Sequence, residues 1–164
     1  MKHEMVAIAD GEWLSASDIA DEVSSGKVSA LDVTNRALAR IEAVDAKLNA
    51  FTDVVAERAR ATAQRVDDAI ARGDKVGPLA GVPFAVKNLF DVVGLPTRAG
   101  SKINRDRAPS LRDSTLIERM ESAGAVLVGA LNMGEYAYDF TGENAHDGAS
   151  RNPHDLARMS GGSS

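Results

Sequence analysis

Apolar positions recur at helical spacing through residues 15–72 and in short unbroken runs after that. Ser15 follows Trp13 and Leu14, with Asp18 three places on, a capping box with Asp in place of Glu. A short helix is therefore predicted through Ile19, Ala20 and Val23, stopping at Gly26. Ser29 reads as a second N-cap with Asp32 in the first turn. Leu31, Val33, Ala37, Leu38, Ile41 and Val44 then recur at a period that predicts about four turns of amphipathic helix. Residues 49–52 break that pattern and read as a short extended piece. Residues 54–72 are Ala-rich with interspersed charge, which predicts a long, partly exposed helix ended by Gly73.

The character of the chain changes at residue 74, beyond which most Gly and Pro residues fall. Residues 82–87 form a short run rich in β formers, bounded by Gly and Pro, and read as a buried strand. A turn at 94–97 and an irregular basic loop at 101–110 follow. Asp113 is the expected cap of a helix through Leu116, Ile117 and Met120 that closes at Gly124. Residues 125–129 read as a second buried strand. A strand, a helical crossover and another apolar strand predict a right-handed parallel βαβ unit. A short helix is expected over 132–140, carrying Tyr136 and Tyr138, and a long glycine-containing loop from Thr141 onward. The fold class is α/β, with a helical segment over 1–74 and an α/β core over 75–164. A loop of that length in a compact domain is functional or disordered.

Composition narrows the function classes. Apolar residues make up 44 % and charged residues 26 % of the 164 residues, ordinary for a globular protein. A net charge of −5 argues against a nucleic-acid surface. The chain has no cysteine, which removes disulfides, thiolate nucleophiles and thiolate metal ligands. Glu4, Asp10, Glu12 and Asp18 interrupt any signal-peptide core, so the expected location is the cytoplasm.

The remaining chemistry is hydroxyl, amine and backbone amide. Lys87 ends the first strand, where burial of its charge is costly. Two readings stand: a lysine that snorkels to solvent, and a desolvated lysine neutral enough to act as a base. Ser163 and Ser164 follow Gly161 and Gly162, which permit unusual backbone angles and close approach. Lysine and serine together point to serine hydrolysis with a lysine base. His146 and His154 each precede an Asp, but their spacing matches no standard metal site, and loop histidines are ordinarily surface residues. Tyr136 and Tyr138 read as packing residues. Arg98, Arg105 and Arg107 read either as a guide for an anionic substrate or as a solvated loop face.

The ordered blocks make the picture specific. Residues 77–91 around Val86-Lys87-Asn88, then 99–102, 123–129, 132–135, 141–144, 151–155 and finally Gly161-Gly162-Ser163-Ser164 resemble, in order, the blocks of the amidase signature family. The resemblance implies that family's fold, a mixed β-sheet core covered by helices, of which 75–164 is the first part. It implies a Ser–cis-Ser–Lys triad in which Lys87 is the base and Ser163 the bridging serine. The family's nucleophilic serine lies further on, in a second glycine-rich loop, so residues up to Ser164 are expected to be inactive by themselves. The implied activity is hydrolysis of the C–N bond of a small amide or urea-type substrate through an acyl-enzyme, with no cofactor and no metal. Within the family the blocks are most similar to the 1-carboxybiuret hydrolases, and next to the amidase-type chain of the tRNA-dependent amidotransferases. Both imply an oligomer with a small helical partner subunit. The alternative functions are a glutamine-dependent tRNA amidotransferase component and a non-catalytic interaction module. The chain departs from both subgroups at Gly134, Asp139 and Gly142, and from the amidotransferase pattern at Asn88.

Overall fold

The computed structural model describes residues 14–162; Trp13, the polar lead-in, Ser163 and Ser164 lie outside them. Helix α1 spans Ala16–Ser24 and opens on the expected capping box: the Asp18 N–H donates to Ser15 Oγ, and the Ser15 N–H donates to Asp18 Oδ2, each at 3.1 Å. Hydrogen bonds from Ser15, that of its hydroxyl foremost, hold the Asp18 carboxyl below its usual range. Helix α2 spans Ala30–Leu48 with Ser29 as N-cap, a little longer than its apolar period indicates. It ends on Asn49 in the left-handed conformation (φ 52°), which turns the chain into strand β1, Phe51–Val54.

Helix α3 spans Ala56–Ala71. Residue 54, assigned to this helix from its sequence, belongs to β1. The Val55 N–H donates to Val128 O across the sheet, so sheet pairing outweighs helix propensity there. Helix α3 also supplies Asp67, which caps α2 from outside. Its carboxylate accepts the Ala30 N–H (2.7 Å), the Leu31 N–H (3.0 Å) and the Ser29 hydroxyl (3.0 Å). A carboxylate at that helix end satisfies orphan donors and opposes the dipole.

Strand β2 is Pro83–Lys87, helix α4 is Thr115–Ser122 and strand β3 is Val126–Leu131. Strand β3 is the middle of a three-stranded sheet in the order β1-β3-β2. It pairs with β2 in parallel and with β1 antiparallel, with Lys87 beside Leu131 and Phe51 on the other side. The parallel pair joined through α4 is the expected βαβ unit, and the sheet is mixed. Side chains alternate across it. Ala85, Val126 and Val128 pack against Val23, Ala30, Leu38, Ala59 and Ala63 of α1–α3. Val86 and Leu127 pack against Ile117 of α4 and Val92 on the opposite face. Covering both faces explains why β3 is apolar without interruption. The early helices and β1 share this core with the later strands.

Three expectations are corrected. Asp113 does not cap α4: its N-cap is Ser114, and Asp113 instead accepts the Val93 N–H (2.8 Å) and both Arg58 Nη atoms (2.8 and 2.6 Å). Residues 132–140 are not a helix. Only a single 3₁₀ turn, Glu135–Ala137, forms, and Tyr136 (φ 52°) and Ala137 (φ 58°) are left-handed, which prevents propagation. The stretch from Thr141 is not a structureless loop. It folds into two small hairpins, β4 (Glu143–Asn144) with β5 (Gly148–Ala149), and β6 (Arg151–Asn152) with β7 (Asp155–Met159).

Arg58 ties α3 to α4. Besides Asp113 it reaches Glu121 Oε2 at 3.0 Å, and all three side chains are mostly buried. The hydrogen bonds to Asp113 raise the Arg58 pKa, and Arg58 in turn holds the Asp113 carboxyl below its usual range. Because the folded-state value is depressed, this pairing contributes stability in full above the ordinary carboxylate range and loses it as pH falls through the depressed value. Arg58→Met in the intact protein is expected to cost about 2–3 kcal/mol at pH 7 by leaving two carboxylates unpaired. The deficit should shrink below about pH 4 as the Asp113 carboxylate, no longer held down by Arg58, protonates. Urea unfolding at pH 7 and pH 3 checks this; an equal deficit at both would refute the charge account.

Candidate active site at the strand ends

Parallel pairing brings the carboxyl ends of β2 and β3 side by side. Lys87 is the last residue of β2, half-buried and level with Leu131. The chain then turns sharply: the Asn88 N–H donates to Leu131 O, and the Phe90 N–H returns to Lys87 O, both at 3.0 Å. Loops at the carboxyl ends of parallel strands are where α/β sheets ordinarily build sites. Here the loops are held by asparagines.

Asn88 is 2 % exposed. Its Oδ1 accepts the Gly100 N–H at 2.8 Å, and its backbone carbonyl accepts the Ala99 N–H at 3.0 Å. Asn144 is also buried, and its Nδ2 donates to Gly100 O and Met133 O, both at 2.7 Å. Its Oδ1 accepts the His146 N–H (2.7 Å) and the Asp147 N–H (2.9 Å). Asn132, the first residue after β3, donates to Asn49 O (3.1 Å) and Gly148 O (3.0 Å) and accepts the Met133 N–H (2.8 Å). Asn49 completes the link by donating to Asp147 O at 2.8 Å. Asn104 joins Arg98 O to the Tyr136 hydroxyl at 2.9 and 3.0 Å. A primary amide both donates and accepts, so each of these side chains ties two or more loop segments without burying charge.

The remaining predicted groups fall as follows. Ser101, also buried, donates its hydroxyl to Glu135 Oε1, and His146 Nε2 lies 3.6 Å from that oxygen. Arg98 pairs with Asp53 (3.0 Å) and Arg105 with Asp147 (2.6 Å), so both are tied within the fold, while Arg107 is exposed. Neither pair matches the expected anion guide or the expected solvated face. His154 is exposed in the β6–β7 turn. Tyr136 and Tyr138 are not packing residues: Tyr136 is more than half exposed, and Tyr138 is 96 % exposed. Among the described residues no group of three or more His, Asp or Glu is placed to hold a metal, and no helix is long and apolar enough to cross a membrane.

Ser163 and Ser164 lie outside the described residues, and Gly161 and Gly162 show where the chain arrives. The Gly161 N–H donates to Thr141 O at 3.2 Å. A Cβ on Gly162 would come within 3.0 Å of the Phe140 and Asp139 backbone. The approach to Ser163 is therefore laid along the 139–142 loop, which leaves the end of β3 through Asn132. Asn49, Asn104, Asn132 and Asn144 carry no catalytic signature in sequence. The one legible mark belongs to Asn49 and Asn132, amide side chains directly after a helix and a strand.

Comparison with known proteins agrees with this arrangement. Residues 32–164 match the amidase family model. The chain is 54 % identical over 147 residues to AtzE, a 1-carboxybiuret hydrolase subunit from Pseudomonas sp. (strain ADP), covering 90 % of this chain and 32 % of that protein. It is 46 % identical over 150 residues to a glutamyl-tRNA(Gln) amidotransferase subunit from Streptomyces avermitilis, covering 92 % and 30 %. A solved structure described as a vestigial protein complex revealing the origins of an s-triazine catabolic enzyme superposes with TM-score 0.89 at 53 % identity, over 92 % of this chain and 33 % of that one. A bacterial aryl acylamidase superposes with TM-score 0.85 at 33 % identity, over 92 % and 31 %. The chain spans about a third of the length of these relatives.

Asn144→Ala removes an amide serving four backbone groups. It is expected to destabilise the intact protein by about 3 kcal/mol and to speed amide exchange at His146 and Asp147; a loss under about 1 kcal/mol would show that the amide does not hold the loops. By its match over residues 32–164 and its superposition on solved amidases, the chain belongs to the amidase family.

Proposed function

We propose that this chain is the first part of an enzyme that hydrolyses the C–N bond of a small amide or urea-type compound. Lys87 is the base, Ser163 the bridging serine of a Ser–cis-Ser–Lys triad, and the nucleophilic serine comes from polypeptide beyond Ser164. The observation that carries this reading is the position of Lys87: it ends a strand paired in parallel inside a helix-covered sheet, within the stretch that matches the family model. Acting as a base requires the uncharged amine.

In the proposed mechanism the neutral Lys87 amine accepts the proton of Ser163 Oγ, which accepts the nucleophile's proton in turn. The nucleophile's oxygen attacks the amide carbonyl carbon, and backbone amides stabilise the oxyanion. The C–N bond breaks as the proton returns along the same relay to the leaving nitrogen. Ammonia or an amine departs from an acyl-enzyme, and water attacks the ester to release the acid and regenerate the serine. This reading divides the chain at residue 74, the later part being the first part of the catalytic core and the earlier part supplying covering helices together with strand β1 of the same sheet.

The urea-type substrate class rests on the identity to a 1-carboxybiuret hydrolase component. A second reading, the corresponding component of a glutamine-dependent tRNA amidotransferase, is favoured by the 46 % identity to such a protein. Both relatives are named as subunits, which supports a partner chain here. A non-catalytic interaction module is the third reading.

The test uses the intact protein that contains this chain. Ammonia release from biuret-type compounds, without ATP or tRNA, is the expected activity, and glutamine-dependent transfer with a partner would select the second reading. Lys87→Ala and Ser163→Ala are each expected to lower kcat by about 10²–10⁴-fold. Turnover that survives both substitutions would sink the triad assignment.

A further inference from the structure

Asp139 follows the 3₁₀ turn and has no part in the proton relay proposed above. Its carboxylate accepts the Thr141 hydroxyl (2.7 Å), the Thr141 N–H (2.9 Å), the Gly142 N–H (2.8 Å) and the Glu143 N–H (3.2 Å). One side chain thus gathers the donors of three successive residues. Space for it is made by Gly134, where a Cβ would stand 2.3 Å from the Asp139 Cβ. Gly142 (φ 78°) is the contact on the far side: a Cβ there would lie 2.4 Å from Ser160 Oγ and 2.6 Å from Gly161 O. Gly142 O also accepts the Ser150 N–H at 2.9 Å, and Thr141 O accepts the Gly161 N–H. Gly134, Asp139 and Gly142 thus make one contiguous contact.

We propose that Asp139 is a positioning residue for the serine loop: its carboxylate fixes residues 141–143 as the rail on which residues 160–162 lie, and so sets the course of the chain leading into Ser163. The path is short and physical. Asp139 holds the Thr141 and Gly142 backbone, that backbone meets Ser160 and Gly161, and Ser163 follows after one further residue. Gly162 packs directly on the Asp139 and Phe140 backbone, so the same turn touches the strap twice. The donated hydrogen bonds, that of the Thr141 hydroxyl foremost, hold the Asp139 carboxyl below its usual range, so the acceptor is ionised near neutrality. A triad in which a proton passes through a bridging serine depends on that serine's position to a fraction of an ångström. The kinetic arm of the test rests on the amidase reading; the structural arm does not.

Asp139→Asn keeps the shape of the side chain and turns one acceptor oxygen into a donor facing the Gly142 and Glu143 N–H groups. In the intact protein this variant is expected to speed amide hydrogen exchange about tenfold over 139–143 and also over 158–164, with 126–131 unchanged. Its kcat for amide hydrolysis should fall about tenfold with KM changed less than about threefold, the split expected of a misplaced catalytic group. Exchange that rises over 139–143 alone, or a kcat that stays at the parent value while 158–164 loosens, overturns the proposal. If the parent protein hydrolyses no amide, the amidase reading fails and the exchange result alone decides the role of Asp139. Should Asp139→Asn loosen 126–131 as well, Thr141→Val removes only the hydroxyl donor. That variant must still loosen 158–164, and failure to do so overturns the proposal.

Discussion

The parallel hydrogen bonding of β2 to β3 is the constraint on which the rest depends. It sets Lys87 level with Leu131 and sends Asn88 and Asn132 out of adjacent strand ends into neighbouring loops. Backbone leaving a buried sheet must find partners for its N–H and C=O groups without water. Buried asparagine amides supply them: Asn88 to Gly100, Asn144 to Gly100 and Met133, Asn132 to the carbonyls of Asn49 and Gly148. The lysine therefore stands at the rim of a neutral, hydrogen-bonded scaffold whose loops are fixed relative to one another.

Charge is used differently further from that rim. Asp67 closes the N-terminus of α2 from a neighbouring helix, and Arg58 clamps α3 to α4 through Asp113 and Glu121. These contacts join elements distant in sequence and mostly buried in space, where a lost partner costs most. Arg98 and Arg105 are spent in the same way, on Asp53 and Asp147. Of the three loop arginines that look available in the sequence, these two are fold contacts and Arg107 is exposed. Tyr138, Phe140 and Met159 remain exposed.

Helices were legible where local chemistry decides them. The Ser15–Asp18 box and the Ser29 cap with its apolar period are satisfied within a few residues, so α1 and α2 form much as their sequences indicate. The misreadings share a physical reason. Val54 is helix-compatible locally and becomes β1 because β3 offers a ladder. Asp113 has the look of a cap and is taken by Arg58, fifty-five positions away. The 132–140 stretch has helical composition, but left-handed Tyr136 and Ala137 and the gathering of donors by Asp139 pull it into a turn. The hairpins after Thr141 have weak periodicity and depend on long-range partners such as Asn49.

The sequence by itself determined the starts of α1 and α2, the two parallel strands, the α/β class and, through the order of its blocks, the family and the candidacy of Lys87 and Ser163. Those features rest on local capping, on burial period and on residue identity at short spacing. Tertiary structure alone decided that β1 completes a mixed sheet and that buried asparagines tie together the loops at the strand ends. It also decided that Asp139 gathers the turn against which residues 160–162 lie. These outcomes depend on which backbone donors and acceptors the packed sheet leaves without partners, and that is settled only when segments a hundred residues apart meet, as Asn49 and Ala149 do.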